Sequence, residues 1–290
     1  MANSKGSLKA HYFDLRTTLI SGQVFGWKEF EGWYYGEISG KPTRVRQDDD
    51  TLRFEGASKK EIAYYFALDE DAAAIFKRIS RKDPMLSKAM KEFQGLRLLR
   101  QDPWTCTVSF ICSAFSNIPR IEKKLHNLRT RYGRTAKLHG HAINLFPSPQ
   151  SLSSASLSDL RACGLGFRDK YVKGLGERMR RFDVSNLKKK DYEDAKTALM
   201  ESAGIGEKVA DCICLFSLDK HEAFPIDVWI ARVMTKLYGK EIRVMFPNTK
   251  FSYKDVQRFA RVKWGRDAGY AQQFLYMYAR KHKLGAERKE

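Results

Sequence analysis

The period of the apolar positions along this chain changes near residue 100. Before it, residues 33–38, 43–46 and 51–54 are short aromatic or alternating runs separated by Gly, Pro and Asp clusters, the signature of strands. The stretch 10–67 as a whole favours strands and predicts a small antiparallel sheet. Residues 72–80 and 84–93 read as helices. From Pro103 onward apolar residues recur at helical spacing almost throughout. Breaks fall at 133–149, rich in Pro, Gly and His, and at the glycine turns 164–166 and 204–206. The first break predicts a loop that holds His139 and His141, with no ligand partners for either. Ser156-Leu157-Ser158-Asp159-Leu160 reads as a capped helix start rather than a Ser-rich linker. The expected class is α+β. Residues 1–99 form an antiparallel sheet domain with flanking helices, and residues 100–290 form a helical domain.

Composition narrows the partners more than the fold. Apolar residues make up 43% of 290 positions, enough for a substantial core. Lys and Arg exceed Asp and Glu by 53 − 34 = 19, which suits a polyanionic partner, although an anionic membrane or simple solubility would also tolerate it. No apolar run reaches the roughly 18 residues of a membrane span. The first residues lack the apolar stretch of a secretory signal. The cysteines are Cys106, Cys112, Cys163, Cys212 and Cys214. An odd count without framework spacing predicts reduced thiols in an intracellular protein. Cys212 and Cys214 point to different faces of a helix, so they are not expected to share a metal.

The densest chemical signal is Gly204-Ile205-Gly206-Glu207-Lys208, followed by Asp227 just after Pro225. Helical spacing continues on both sides of the glycine turn, so two helices meet there with Ile205 plugging the gap. Amides of such a turn, beside a helix N-terminus, can hold a phosphate. Lys208 falls in the first turn of the second helix. The helix's positive end disfavours an ammonium there, and burial would add desolvation; both favour a neutral, nucleophilic amine. Cys212 lies one turn on, on the same face. Phe224-Pro225-Ile226-Asp227 reads as an extended approach to a helix over 228–238, with Asp227 as its cap. Taken singly, Lys208 is a solvated helix lysine and Asp227 a cap. Their combination with the glycine turn favours chemistry.

These motifs resemble the eukaryotic-type branch of the helix-hairpin-helix glycosylase superfamily, the 8-oxoguanine DNA glycosylase/AP lyases. The likeness is carried by Lys208-Val-Ala-Asp-Cys-Ile-Cys-Leu215 and Pro225-Ile-Asp-Val228. It extends to Ser21-Gly-Gln-Val-Phe-Gly-Trp27, Gln101-Asp-Pro103, Phe110-Ile-Cys-Ser113, Gly164-Leu-Gly-Phe-Arg168 and Ala268-Gly-Tyr-Ala-Gln272. The resemblance implies a TATA-binding-protein-type antiparallel sheet on a helical glycosylase core. A sister branch carries a four-cysteine iron–sulfur loop after the aspartate. Residues 227–290 contain no cysteine, so that branch is excluded.

By the same resemblance, Lys208 is the nucleophile and Asp227 its electrostatic partner. Gly22, Cys212, Gln272 and Tyr276 form the lesion-base pocket, with Tyr276 standing where the family commonly has Phe. Gly22 would offer its carbonyl to the N7–H that distinguishes 8-oxoguanine from guanine. Arg120 and Arg168 would grip the orphaned cytosine, and Gly204 and Gly206 would meet the DNA backbone. Asn117 keeps part of an Asn-rich loop, while Phe115 and Ser116 occupy positions where the family has Asn. Phe115 either wedges into the base stack or sits in the core.

The implied partner is double-stranded DNA containing 8-oxoguanine, bound by a monomer in the cytoplasm, nucleoid or nucleus. No redox cofactor or catalytic metal is implied, though a structural monovalent cation at the 204–206 turn fits. The competing expectations are a glycosylase for other damaged bases and a non-catalytic helix-hairpin-helix DNA-binding protein.

Overall fold

The computed structural model describes residues 4–81, 83–179, 181–247 and 252–284. Its N-terminal sheet contains β1 (Ser4–Lys9), β2 (Lys28–Phe30), β3 (Trp33–Ile38), β4 (Lys41–Asp48) and β5 (Thr51–Gly56), in the antiparallel order β1-β5-β4-β3-β2. Two tight turns set the register. Glu31-Gly32 and Ser39-Gly40 have positive φ at both residues, the geometry whose twist matches a two-residue hairpin. They fix the pairs Phe30↔Trp33 and Ile38↔Lys41.

The strand expectation for 10–67 needs correcting on both flanks of the predicted runs. Residues 15–20 form helix α1 (Leu15–Ile20), started by Asp14, which accepts from the Thr17 amide at 2.6 Å. Residues 59–65 form α2 (Lys59–Tyr65), started by a reciprocal Ser58–Glu61 capping box. Local caps override strand composition in both places. Conversely, β1 lies ahead of the predicted stretch. Its sequence, SKGSLK, has almost no apolar pattern, and pairing with β5 makes it a strand.

After α3 (Ala72–Ser80) and α4 (Pro84–Glu92) the chain is helical. Helix α5 (Pro103–Ser113) is buried at Trp104 and from Cys106 to Ser113, and α6 (Ile118–Tyr132) packs beside it. The break at 133–149 is not a plain loop. It carries the hairpin β6 (Thr135–Leu138) and β7 (His141–Asn144). His139 is in its turn, but His141 opens β7, with its ring 4.6 Å from Phe30 and 4.8 Å from Tyr35. Those aromatic partners, remote in sequence, recruit it. The path continues through α7 (Pro149–Ser154), α8 (Leu157–Ala162), α9 (Asp169–Arg178), α10 (Tyr192–Met200), α11 (Glu207–Ser217) and α12 (Val228–Val233). Ser156 caps α8 as its sequence predicts. The helix expected over 228–238 is α-helical only to Val233; residues 234–238 wind as a π-helix. There Tyr238 turns inward and donates to the Asp83 carboxylate at 3.0 Å. Helices α13 (Gly239–Met245), α14 (Tyr253–Trp264) and α15 (Ala268–Lys281) complete the described fold.

Two apolar cores result. The smaller, with Val45, Leu52, Phe54, Ile62 and Phe66, lies between the sheet and α2. The larger joins α3 and α4 to the later helices, and it takes in Phe25. At the seam Gln23 is buried. It donates to the Arg97 carbonyl at 2.8 Å and accepts from the Leu99 amide at 2.8 Å. Gln273 of α15 donates to the Ser21 carbonyl at 2.9 Å. These bonds seat residues 21–25 against the helical core. Among the described residues no helix is long and apolar enough to cross a membrane.

Candidate active site

Helices α10 and α11 flank the glycine turn, and Ile205 is buried between them. The two glycines differ. Gly204 has φ +88°, and a Cβ there would lie 2.6 Å from the Tyr171 ring, so only glycine fits. Gly206 has an ordinary φ of −91° and needs no left-handed backbone. As N-cap of α11 it has open space where a Cβ would point, which lets a ligand approach the helix's first amides.

Lys208 is the second residue of α11. Its Nζ donates to Ser113 Oγ of α5 at 3.2 Å and sits 5.2 Å from the Phe110 ring centre. Asp227 caps α12, with Oδ1 accepting from the amides of Trp229 at 3.0 Å and Ile230 at 2.8 Å. Burial pushes the Asp227 carboxyl above the usual range, while the Ile230 amide and Lys208 pull it down. Both residues line one crevice of about 850 Å³, which also takes in Phe115, Asn117, Arg120 and Arg280.

Behind them is a recess of about 50 Å³ that brings together Gly22, Cys212, Gln272 and Tyr276 with Lys208 and Asp227. Gly22 has φ +82°, and a Cβ there would meet the Tyr276 hydroxyl at 3.1 Å. Burial pushes the Cys212 thiol up to about 12, so it is a neutral wall. Gln272 donates through Nε2 to the Pro225 carbonyl at 3.2 Å. Its Oε1 is buried without a hydrogen-bond partner. Such an atom costs free energy until something donates to it.

The rim is the loop between α5 and α6. Phe115 is 95% exposed and has φ +47°, so its core alternative is wrong. A phenylalanine pays more than an asparagine for that backbone geometry. Asn117 caps α6, accepting from the Arg120 amide at 3.1 Å, and Arg120 itself is exposed. Arg168 is buried; Nε and Nη2 donate to the Ala114 carbonyl and Nη1 to the Leu165 carbonyl. Lys124 bonds the Cys112 carbonyl at 3.2 Å and Ser116 Oγ at 2.8 Å. Arg120 and Arg168 are thus placed unlike one another: one faces solvent, and the other holds the loop from beneath.

Two site residues lacked an assignment from sequence. Ser113 sits inside a quoted motif, yet only the packing of α5 on α11 makes it the partner of Lys208. Arg280 lies 5.3 Å from the Tyr276 ring centre and lowers the Asp227 carboxyl. Its signal was available, because residues 272, 276 and 280 share one face of α15.

A glycine-turn hairpin, a lysine at its second helix and a half-buried capping aspartate across one crevice define a helix-hairpin-helix protein with a lysine–aspartate site. Residues 108–254 match the HhH-GPD superfamily of base excision DNA repair proteins, and residues 7–107 match the 8-oxoguanine DNA glycosylase N-terminal domain. The chain is 32% identical to a probable N-glycosylase/DNA lyase of Methanothermobacter thermautotrophicus, covering 94% of this chain and 95% of that one. It is 29% identical to the N-glycosylase/DNA lyase OGG1 of Arabidopsis thaliana, covering 91% and 76%. The Clostridium acetobutylicum 8-oxoguanine glycosylase/lyase, solved with duplex DNA containing cytosine opposite 8-oxoG, superposes with a TM-score of 0.87 at 31% identity, covering 98% of this chain and 99% of that one. This chain belongs to the HhH-GPD superfamily of base excision DNA repair proteins and carries that superfamily's 8-oxoguanine glycosylase N-terminal domain.

Proposed function

We propose that this protein is a bifunctional DNA glycosylase and AP lyase that removes 8-oxoguanine from opposite cytosine in duplex DNA. The observation that carries the reading is one crevice holding Lys208 and Asp227 in front of a recess lined by Gly22, Cys212, Gln272 and Tyr276. A base enters such a recess only after leaving the stack. Stacking against the Tyr276 ring and donation from the base edge to Gln272 Oε1 would hold it there.

As the base departs, positive charge develops at the sugar C1′. Both cap bonds of Asp227 fall on Oδ1, which leaves Oδ2 to face that charge. The Lys208 amine forms a bond to C1′ while the C1′–base bond breaks. Loss of the amine's protons and opening of the sugar give a Schiff base. β-Elimination then expels the 3′ phosphate and nicks the strand. None of these steps draws on a redox cofactor or a metal. A structural monovalent cation held by carbonyls of the 204–206 turn belongs to the same proposal, and melting in potassium against a bulky organic cation tests it. The proposed setting is intracellular, and the proposed working form is a monomer.

The test is borohydride trapping on a duplex with 8-oxoguanine opposite each of the four bases. A covalent adduct, formed fastest opposite cytosine, is expected. Tight DNA binding without an adduct or base release would make this a non-catalytic DNA-binding protein. Faster release of alkylated bases or uracil would reassign the substrate.

A further inference from the structure

Helix α11 also carries an acid that lines neither the crevice nor the recess. Asp211, one turn after Lys208, is fully buried. Its carboxylate accepts from the Tyr192 hydroxyl, from Lys196 Nζ at 3.2 Å, from Gln257 Nε2 at 2.6 Å and from the Tyr253 hydroxyl at 2.7 Å. Satisfying a buried carboxylate would by itself explain four donors. What it does not explain is where two of them go next. The Tyr253 oxygen accepts from the Ile226 amide at 3.2 Å, and Gln257 Nε2 lies 3.3 Å from the Phe224 carbonyl. These are the residues of the extended approach that ends at Asp227.

The helix that carries Lys208 is therefore tied, through Asp211, to the segment that carries Asp227. The shortest tie runs from the Ile226 amide to the Tyr253 hydroxyl to Asp211. Each bond in it polarises the next. We infer that Tyr253 is a positioning residue, anchored by Asp211, that sets Asp227 in register with Lys208. This rests on the lysine–aspartate reading above. The reaction demands such a register, because a carboxylate misplaced by about 1 Å can lose about a hundredfold in rate.

The structure supplies its own control. Tyr192 and Tyr253 each give one hydroxyl to Asp211, but Tyr253 bonds the Asp227 segment directly, whereas Tyr192 reaches it only by accepting from Gln257 Nε2 at 3.2 Å. Tyr192→Phe and Tyr253→Phe should lower the melting temperature by similar amounts. Tyr253→Phe alone should slow single-turnover 8-oxoguanine excision, by about tenfold, with the Kd for lesion duplex unchanged. If that variant does not fold, Asp211→Asn, which retains the side chain's shape, should give the same split between rate and Kd. Excision by Tyr253→Phe at the wild-type rate overturns the inference. So does an equal loss of rate in both tyrosine variants, because the direct bond from the Ile226 amide to Tyr253 then sets nothing of its own. A wild-type chain that neither excises nor is trapped fails the lysine–aspartate reading, and this inference falls with it. An active wild type with an indifferent Tyr253→Phe sinks the inference by itself.

Discussion

At the back of the crevice, Lys208, Cys212, Gln272 and Tyr276 stand on two long helices whose other faces are core. At the rim, Phe115 stands on a short loop in a left-handed backbone conformation, nearly all of its surface in solvent. The back is fixed by packing before any ligand arrives, yet it leaves one buried acceptor, Gln272 Oε1, unsatisfied. The rim is fixed by polar clamps beneath it, Arg168 on the Ala114 carbonyl and Lys124 on Ser116, and leaves an apolar ring unsatisfied. In the proposed function, chemistry that depends on alignment would fall to the part fixed by packing, and contact with a deformable duplex would fall to the part that is cheap to vary, which is where this chain departs from the family pattern.

The sharpest break of this comparison is at Lys208. Lys208→Gln should abolish the borohydride-trapped adduct while retaining lesion binding. An adduct of undiminished yield would remove Lys208 from the chemistry. Asp227→Asn comes next. Asparagine can still cap α12, but excision should fall by about a hundredfold as charge stabilisation is lost. Near-normal single-turnover excision would reduce Asp227 to a cap.

The same residue sets a pH dependence. Burial raises its carboxyl, so the acid limb of excision should lie above the ordinary value of about 4. Stability runs the other way. Relative to Asp227→Asn, the wild type should be favoured below about 4 and lose that advantage as pH rises through the raised value. Denaturation of both proteins across that range checks the sign.

The rim effects should be smaller and should divide by burial. Arg168→Ala leaves the Ala114 and Leu165 carbonyls short of donors and should cost about 1–3 kcal/mol of stability. Exposed Arg120→Ala should leave melting nearly unchanged and lower activity opposite cytosine more than opposite adenine. Equal loss opposite all four bases would mark Arg120 as a phosphate contact. Phe115→Ala should change stability by less than about 0.5 kcal/mol. It should weaken lesion-duplex binding by about 1–3 kcal/mol, the scale of stacking on a base. Unchanged affinity would leave the exposed ring without a DNA role.

The sequence alone determined what is local. Helical spacing around 204–206 predicted the hairpin, Ser156 and Asp227 announced their caps, and the alternation at 33–38 and 51–54 announced strands. Each signal depends on residues within a turn or two of one another, so it survives without the fold. Tertiary structure decided what depends on distant partners. SKGSLK became β1 only by pairing with β5, and His141 joined a strand through Phe30 and Tyr35. Gly22 and Gln272 lie 250 positions apart in sequence and share a recess because Gln273 and Gln23 seat residues 21–25 on the helical core. Arg120 and Arg168 are the same residue type with the same resemblance behind them. Only the carbonyls of Ala114 and Leu165, brought beneath one of them by packing, determine that it is buried while the other faces solvent.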